Sequence, residues 1–478
     1  MRRKYIGYRL LFMTFLGFLA LLPAETAKVS PAHIAIVGGT VVHPERNGPA
    51  TLERDMTIIL SGQRIQTIGP AKTTPLPKDA LVIQAGGKWI IPGLIDSHVH
   101  FFQSGNLYTR PDAVDLNKWV PYAKERARNT ARLPATFKVW LASGVTGVAD
   151  VGGPFWNFDV REAARRSAAA PRLVVAGPLI SMVARPQMAL DDPPIIKIDT
   201  PDAARALVKR QLERQTDYVK AWFIHRKGDD LAAQEAIVKA AGDTAHAAGV
   251  RLAVHATELL VAKAALRAGA DLLVHSITDQ AIDDEFIELV KKNRALYTPT
   301  LFVSMGYALA LSDSWKPTEA ELRLGDPQIL QAMNDLKKIP ADELPERIKQ
   351  LMSRKVAPKP SSAAMSNLRK VWDAGITVVM GTDAGNIGTV HGPSVFREME
   401  LMVQAGLTPQ QVLLSATGNG ARTLGLQADL GVLAPGKLAD LVILDADPLA
   451  NIANLSRIHR VIKDGALFDP VQLIESIR

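Results

Sequence analysis

Residues Val250–Ser276 read VRLAVHATELLVAKAALRAGADLLVHS, and this stretch decides the fold. Its two apolar runs, Arg251–Ala256 and Asp271–Ser276, are long enough for strands and too short for helices. Between them LLVAKAALRAGA repeats apolar residues three and four apart, the period of one buried helix face, and runs out at glycine. Strand, helix and strand joined by short turns form a βα repeat with parallel strands. Both strands also end alike, with a histidine after the apolar run: His255 in LAVHA and His275 in LLVHS.

The same alternation extends in both directions. Six more strand candidates are Leu94–His100, Gly144–Val151, Arg172–Leu179, Tyr218–Phe223, Leu296–Leu301 and Ile376–Asp383. Eight such units predict an α/β fold, a TIM (β/α)8 barrel with its chemistry at the C-terminal ends of the strands. An open doubly wound sheet fits less well, because no glycine-rich phosphate turn follows the first strand. Short Val/Ile/Thr runs punctuated by Gly and Pro occupy residues 28–91 and return in 423–478. They predict a composite β-sandwich built from both chain ends around the barrel, 92–422. A polar helical insert, about 305–360, is too long for a plain connection and reads equally as a lid or as a surface helix pair.

Composition narrows the field without naming a function. The chain has 478 residues, 47% of them hydrophobic and 22% charged, enough for a large core. Its formal charge is +8, and +5 once residues 1–27, with four basic residues and one acidic, are set aside. No Lys/Arg run is interleaved with aromatics, which speaks against nucleic acid as a partner. There is no cysteine, so there is no disulfide, and a soft-metal site must draw on His, carboxylate or lysine-derived ligands. Residues 1–27 have a basic start, the apolar run Leu10–Leu22 and small residues at Ala24 and Ala27. This predicts a signal peptide and export to the periplasm or extracellular space, with no stable membrane span after cleavage. An uncleaved N-terminal anchor is the alternative.

Metal-ligand residue types recur at the strand ends. His98 and His100 close GLIDSHVH, and residues two apart on a strand share a face. Lys220 sits inside DYVKAWF, His255 and His275 end the next two strands, and Asp383 ends VVMGTD. Any one of these residues alone reads as packing, as a backbone cap or, for Lys220, as a side chain snorkelling to solvent. Chance gives no reason for apolar strands one, four, five, six and eight all to end this way.

The chain resembles the amidohydrolase superfamily, in its binuclear imidazolonepropionase-like and prolidase-like branch. The matching pieces are IPGLIDSHVH, VKAW, VHA, VHS, GTDAG with His391-Gly392, and AGLTPQQVLLSATGNGARTLGL through GVLAPGKLADLVILDADPL. The likeness runs from about His33 to Gly465. It implies two divalent cations, with zinc as the default metal and manganese, cobalt or iron as alternatives. His98, His100 and Asp383 would hold the more buried ion, and His255 and His275 the more exposed one. Lys220 would bridge both after reacting with carbon dioxide to become N6-carboxylysine. The implied chemistry is hydrolysis of an amide in a small peptide or N-acyl amino acid by a hydroxide shared between the ions, with Asp383 as proton shuttle. The same centre would suit a dipeptidase, an esterase or lactonase, or a cyclic-amide hydrolase. Lys220 speaks against a deaminase, and the full ligand set against a non-catalytic secreted binding protein.

Away from the ligands the expectations are coarser. His391 is either near the substrate end of the pocket, as in the resembling branch, or a helix-start residue. Asp150 in VADVGG is either a substrate contact at the mouth or, the preferred reading, a cap for the following loop. Arg185 reads as a contact to an acidic substrate or, the preferred reading, a solvated loop residue, Tyr297 and Thr300 as core and wall, and Glu398 and Glu400 as helix-surface residues. AWFIHRKGDD after Lys220 and HSITDQAIDDEF after His275 depart from the branch, leaving the substrate open. The expected partner is a small molecule, and a homo-oligomer is compatible with everything above.

Overall fold

The strands of the middle region pair in parallel, as the alternation of the sequence requires. The protein is described by a computed structural model over residues 32–353 and 359–478. The segment read as a signal peptide, 1–27, lies outside the described residues. Tyr218–Trp222 pairs with Arg251–His255, setting Lys220 opposite Ala253 and Trp222 opposite His255. That strand pairs with Leu272–Val274, which in turn pairs with Leu296–Thr298. Leu179–Ser181 and Ile195–Lys197 extend the sheet on its other side. A second parallel sheet holds Leu94–Val99, Val145–Asp150 and Arg172–Val175.

Two strand expectations need correction. Arg172–Leu179 is not one strand but two, broken at Gly177-Pro178, because proline has no N–H to give a ladder. Ile376–Asp383 forms no regular strand. It runs between the first and seventh strands, with Tyr297 N–H donating to Thr377 O, Val379 N–H to Tyr297 O, Ser97 N–H to Met380 O and Asp383 N–H to His98 O. The ladder is interrupted where the Asp96 carboxylate takes the Thr382 N–H at 3.1 Å. The ladders therefore fall into two sheets, joined by single parallel bridges at Ala176–Tyr218, Tyr297–Val378 and Val99–Ala384. One apolar cluster draws on all eight segments, including Ile95, Ala149, Ala176, Tyr218, Leu272 and Val379, with Leu424 and Leu430 beneath. Since strand side chains alternate, Lys220 and Trp222 lie above Tyr218 on this enclosed face.

Both chain ends enter a single mixed sheet of eight strands. Trp89–Pro92 lies antiparallel to Leu441–Leu444, and this pairing joins the two ends. Ile34, Ile36, Ile58, Ile90, Leu441 and Ile443 form the core of the sheet.

The insert has an apolar core of its own. Leu311, Leu330 and Ile348, on its helices Val303–Leu311, Pro327–Ala332 and Glu346–Ser353, pack with the adjoining Trp315 and Met333 against Leu107, Val114 and Leu116 of the long loop after the first strand. It is a cap seated on that loop, and Tyr307 and Ser304 reach the cavity beneath. The seat is tight at Gly388, which has φ +83°, where a Cβ would run into the Gly306 carbonyl oxygen. No helix among the described residues is long and apolar enough to cross a membrane. Gly388→Ala should therefore lower stability by about 2 kcal/mol or more, from left-handed strain plus overlap with the cap helix. Urea unfolding checks this, and an unchanged midpoint would contradict the tight seat.

Candidate metal centre

At the end of Leu94–Val99 both histidines point inward, His98 fully buried and His100 nearly so. Their Nε2 atoms are 3.4 Å apart and lie 3.4 and 3.2 Å from Asp383 Oδ1. His98, His100 and Asp383 thus each offer a ligand atom within 4.8 Å of the others. His275 Nε2 lies 4.0 Å from Asp383 Oδ2. The His275 ring centroid is 4.9 Å from that of His98 and 4.5 Å from that of His255. Four imidazoles and one carboxylate from four chain segments therefore converge, with Lys220 beside them in the same cavity.

The backbone and the hydrogen bonds set the orientation of these rings. His100 Nδ1–H donates to the Gly152 carbonyl at 2.6 Å, which leaves its Nε2 lone pair facing Asp383. His275 Nδ1 contacts Thr300 Oγ1 at 2.7 Å, an arrangement that turns its Nε2 inward in the same way. His275, Thr300 and Asp383 all have left-handed φ, of 80°, 44° and 60°. Such backbone costs of order 1–3 kcal/mol per residue, and here it sits at three ends facing one point.

Burial sets the charges. It holds the His98, His255 and His275 imidazoles well below their ordinary pKa, with Lys220 contributing next for His98 and His255. Neutral imidazole is the form that binds a metal. Lys220 is 1% exposed, and its Nζ has no hydrogen-bond partner among the described residues. Burial lowers its pKa to about 7. A donor set of four imidazoles, a carboxylate and an orphaned amine fits borderline divalent cations.

Several supporting residues carry no signal in the sequence. Asp96, fully buried, accepts from His98 N–H at 3.1 Å and from the Thr382 hydroxyl at 2.6 Å, clamping the two chain segments that carry the ligands. Burial raises its pKa to about 7. Glu398 is not a surface residue: it is fully buried and accepts from Leu301 and Phe302 N–H at 2.8 and 2.9 Å. Burial raises its pKa to about 8, and the helix face that carries it turns toward the strand ends. Glu400 is exposed.

Asp150 and His391 do not line the cavity. Asp150 accepts from Phe101 N–H, Gly152 N–H and Asn157 Nδ2, which is a buried loop cap beside His100. His391 stacks on Phe101 with ring centroids 5.3 Å apart and donates through Nε2 to Gln103 O at 2.8 Å, so it is packed behind the cavity wall. Arg185 lies over the Trp222 ring at 4.6 Å and pairs with Asp112 at 3.2 Å. Tyr297 is core, while Thr300 both lines the cavity and contacts His275. The cavity, about 280 Å³, has apolar walls at Phe102, Leu179, Met188, Ile195 and Trp222, with Arg110, Tyr307 and Asn386 among its polar lining.

The Amidohydrolase family matches residues 89–467. An imidazolonepropionase of Cutibacterium acnes is 44% identical over 79 residues, 16% of this chain and only 19% of that relative's length. An uncharacterised protein of Mycobacterium bovis is 25% identical over 408 residues, covering 84% of this chain and 90% of the relative. Among solved structures, a candidate prolidase from Bifidobacterium longum superposes with TM-score 0.67 at 25% identity, over 93% of this chain and 98% of that one. A Xaa-Pro dipeptidase with bound methionine in its active site superposes with TM-score 0.66 at 23% identity, over 91% and 100% of the two chains.

In the metal-free protein the folded-state pKa of Lys220, about 7, lies below the 10.5 of a solvated lysine. Between those values the unfolded chain binds the extra proton, so stability rises with pH by up to about 1.4 kcal/mol per unit. Lys220→Met has no such proton and should lose that increment. Urea unfolding of both proteins at about pH 7.5 and about pH 9.5 checks it, and equal pH dependence would contradict the buried amine.

Proposed function

Because the chain belongs to the amidohydrolase family, we propose that it is a metal-dependent hydrolase of C–N bonds, working on an amide in a small peptide or N-acyl amino acid. The observation that carries this reading is Lys220 Nζ, buried and, among the described residues, unpartnered in the cavity lined by His100, His255, His275 and Asp383. An ammonium there would cost several kcal/mol. A neutral amine can instead add to the carbon of carbon dioxide, forming an N–C bond and releasing one proton to solvent. The resulting carbamate is an anion with two oxygens, suited to pairing with two cations. We assign His98, His100 and Asp383 to one ion, His255 and His275 to the other, and the Lys220 carbamate to both, on an eight-unit barrel. When bound, such ions acidify water and polarise a carbonyl.

The remaining work falls to the chain's own groups. Asp383 takes a proton from the attacking water as its oxygen bonds to the carbonyl carbon. It then delivers a proton to the leaving nitrogen as the C–N bond breaks, giving a carboxylic acid and an amine. The Gly152 carbonyl fixes the tautomer of the His100 ring, with its hydrogen on Nδ1 and Nε2 turned inward, and Thr300 Oγ1 orients the His275 ring. Trp222, Met188 and Phe102 exclude water and favour an apolar residue beside the scissile amide.

The test is a screen of dipeptides, N-acyl amino acids and matching esters with zinc-reconstituted, bicarbonate-supplied protein. Asp383→Asn should lower kcat by about 10³-fold, within the range for a lost acid–base group, while elemental analysis finds most of the metal retained. Undiminished turnover in that variant would remove Asp383 from the role.

A further inference from the structure

Asp383 is gripped by a side chain that the chemistry above does not use. Asn386 Nδ2 donates to Asp383 Oδ1 at 2.7 Å. The Oδ1 of the same amide accepts from two donors at once, the Tyr307 hydroxyl at 2.7 Å and Arg110 Nη1 at 2.7 Å. A guanidinium has no acceptor, so turning the amide over would set donor against donor and leave Asp383 facing an oxygen. Arg110 is itself fixed, its Nε and Nη2 paired with the two oxygens of Asp112 at 2.8 Å each. Burial raises the pKa of Tyr307, keeping its phenol a donor.

The two locks come from two different elements. Tyr307 stands on the cap helix Val303–Leu311, and Arg110 on the long loop after the first strand. Those elements share the second apolar core, Leu107 and Val114 against Leu311 and Trp315. All three side chains line the cavity in which Asp383 sits.

We propose that Asn386 is the positioning residue for Asp383, and that Tyr307 and Arg110 fix its amide, so that seating the cap and aiming the catalytic carboxylate are one event. This rests on reading Asp383 as ligand and proton carrier. Without the grip, a carboxylate on a left-handed backbone has other rotamers open to it, and both metal retention and proton transfer suffer.

The test compares wild type, Tyr307→Phe, Asn386→Ala and the double variant. Zinc affinity is measured by chelator competition on the full chain, and kcat and KM on whichever amide the wild type hydrolyses. Asn386→Ala should weaken zinc binding by about tenfold or more, as lost supporting bonds to ligands do, and lower kcat more than it raises KM. Tyr307→Phe, which removes one oxygen, should cost about threefold in zinc affinity. The double variant should match Asn386→Ala, because Tyr307 acts only through the amide. Unchanged zinc affinity in Tyr307→Phe would overturn the proposal, and so would a Tyr307 cost that persists in full in the double variant or appears in KM alone. Should Asn386→Ala not fold, the zinc affinity of Tyr307→Phe decides alone. Wild type that binds zinc but hydrolyses nothing would defeat the catalytic reading, and the affinity series would still decide this one.

Discussion

The Lys220 amine is buried, and among the described residues its Nζ has no hydrogen-bond partner. In water such a group would be a solvated cation. Here, between parallel strands and at 1% exposure, it is either a destabilising fault or half of something else. The neighbouring groups point to the second. The imidazoles around it are held neutral by burial, and Asp383 presents both oxygens to histidines. On the proposed reading, Lys220 would lose a proton and add to the carbon of carbon dioxide, becoming an anion among the proposed metal ligands. The left-handed backbone at His275, Thr300 and Asp383 is strain of the kind that persists when surrounding contacts over-determine a site.

The candidate ligands are supported by buried carboxylates that do not line the cavity. Asp96 ties the first strand to the segment that ends in Asp383, and Glu398 ties the end of the seventh to a surrounding helix. Asp150 does the same for the loop behind His100. All three are buried acids whose pKa burial raises, and each is satisfied by backbone N–H groups. The cap extends this arrangement outward: Trp315 donates to the Gly388 carbonyl, and Tyr307 reaches the amide beside Asp383. Shape at the mouth and geometry at the base are linked through a few named bonds.

The convergence of these side chains is partly legible in the sequence, because strand periodicity sets which of them share a face. Once Lys220 lies in an apolar strand, alternation puts it on the face of Tyr218 and Trp222, and His98 and His100 share a face for the same reason. The parallel units are legible from Val250–Ser276 outward, while the break in the third strand is visible only once Pro178 is read as a missing donor. The eighth segment is harder, since the Asp96 clamp replaces a ladder with individual bonds. Asp96, Arg110, Tyr307 and Asn386 are hidden for a different reason. Their partners lie far along the chain or across an insert, and no period of 2 or 3.6 marks them. Glu398 misleads for a related reason: a charged helix residue reads as solvent-facing until the N–H groups of Leu301 and Phe302 give it a place to be buried.

The most direct test counts divalent ions per chain in wild type and Lys220→Ala, each reconstituted with zinc in the presence and absence of bicarbonate. About two ions per wild-type chain are expected with bicarbonate, fewer without it, and at most about one in Lys220→Ala under either condition. Two ions bound by Lys220→Ala, or no metal in bicarbonate-supplied wild type, would contradict a centre bridged by a modified amine.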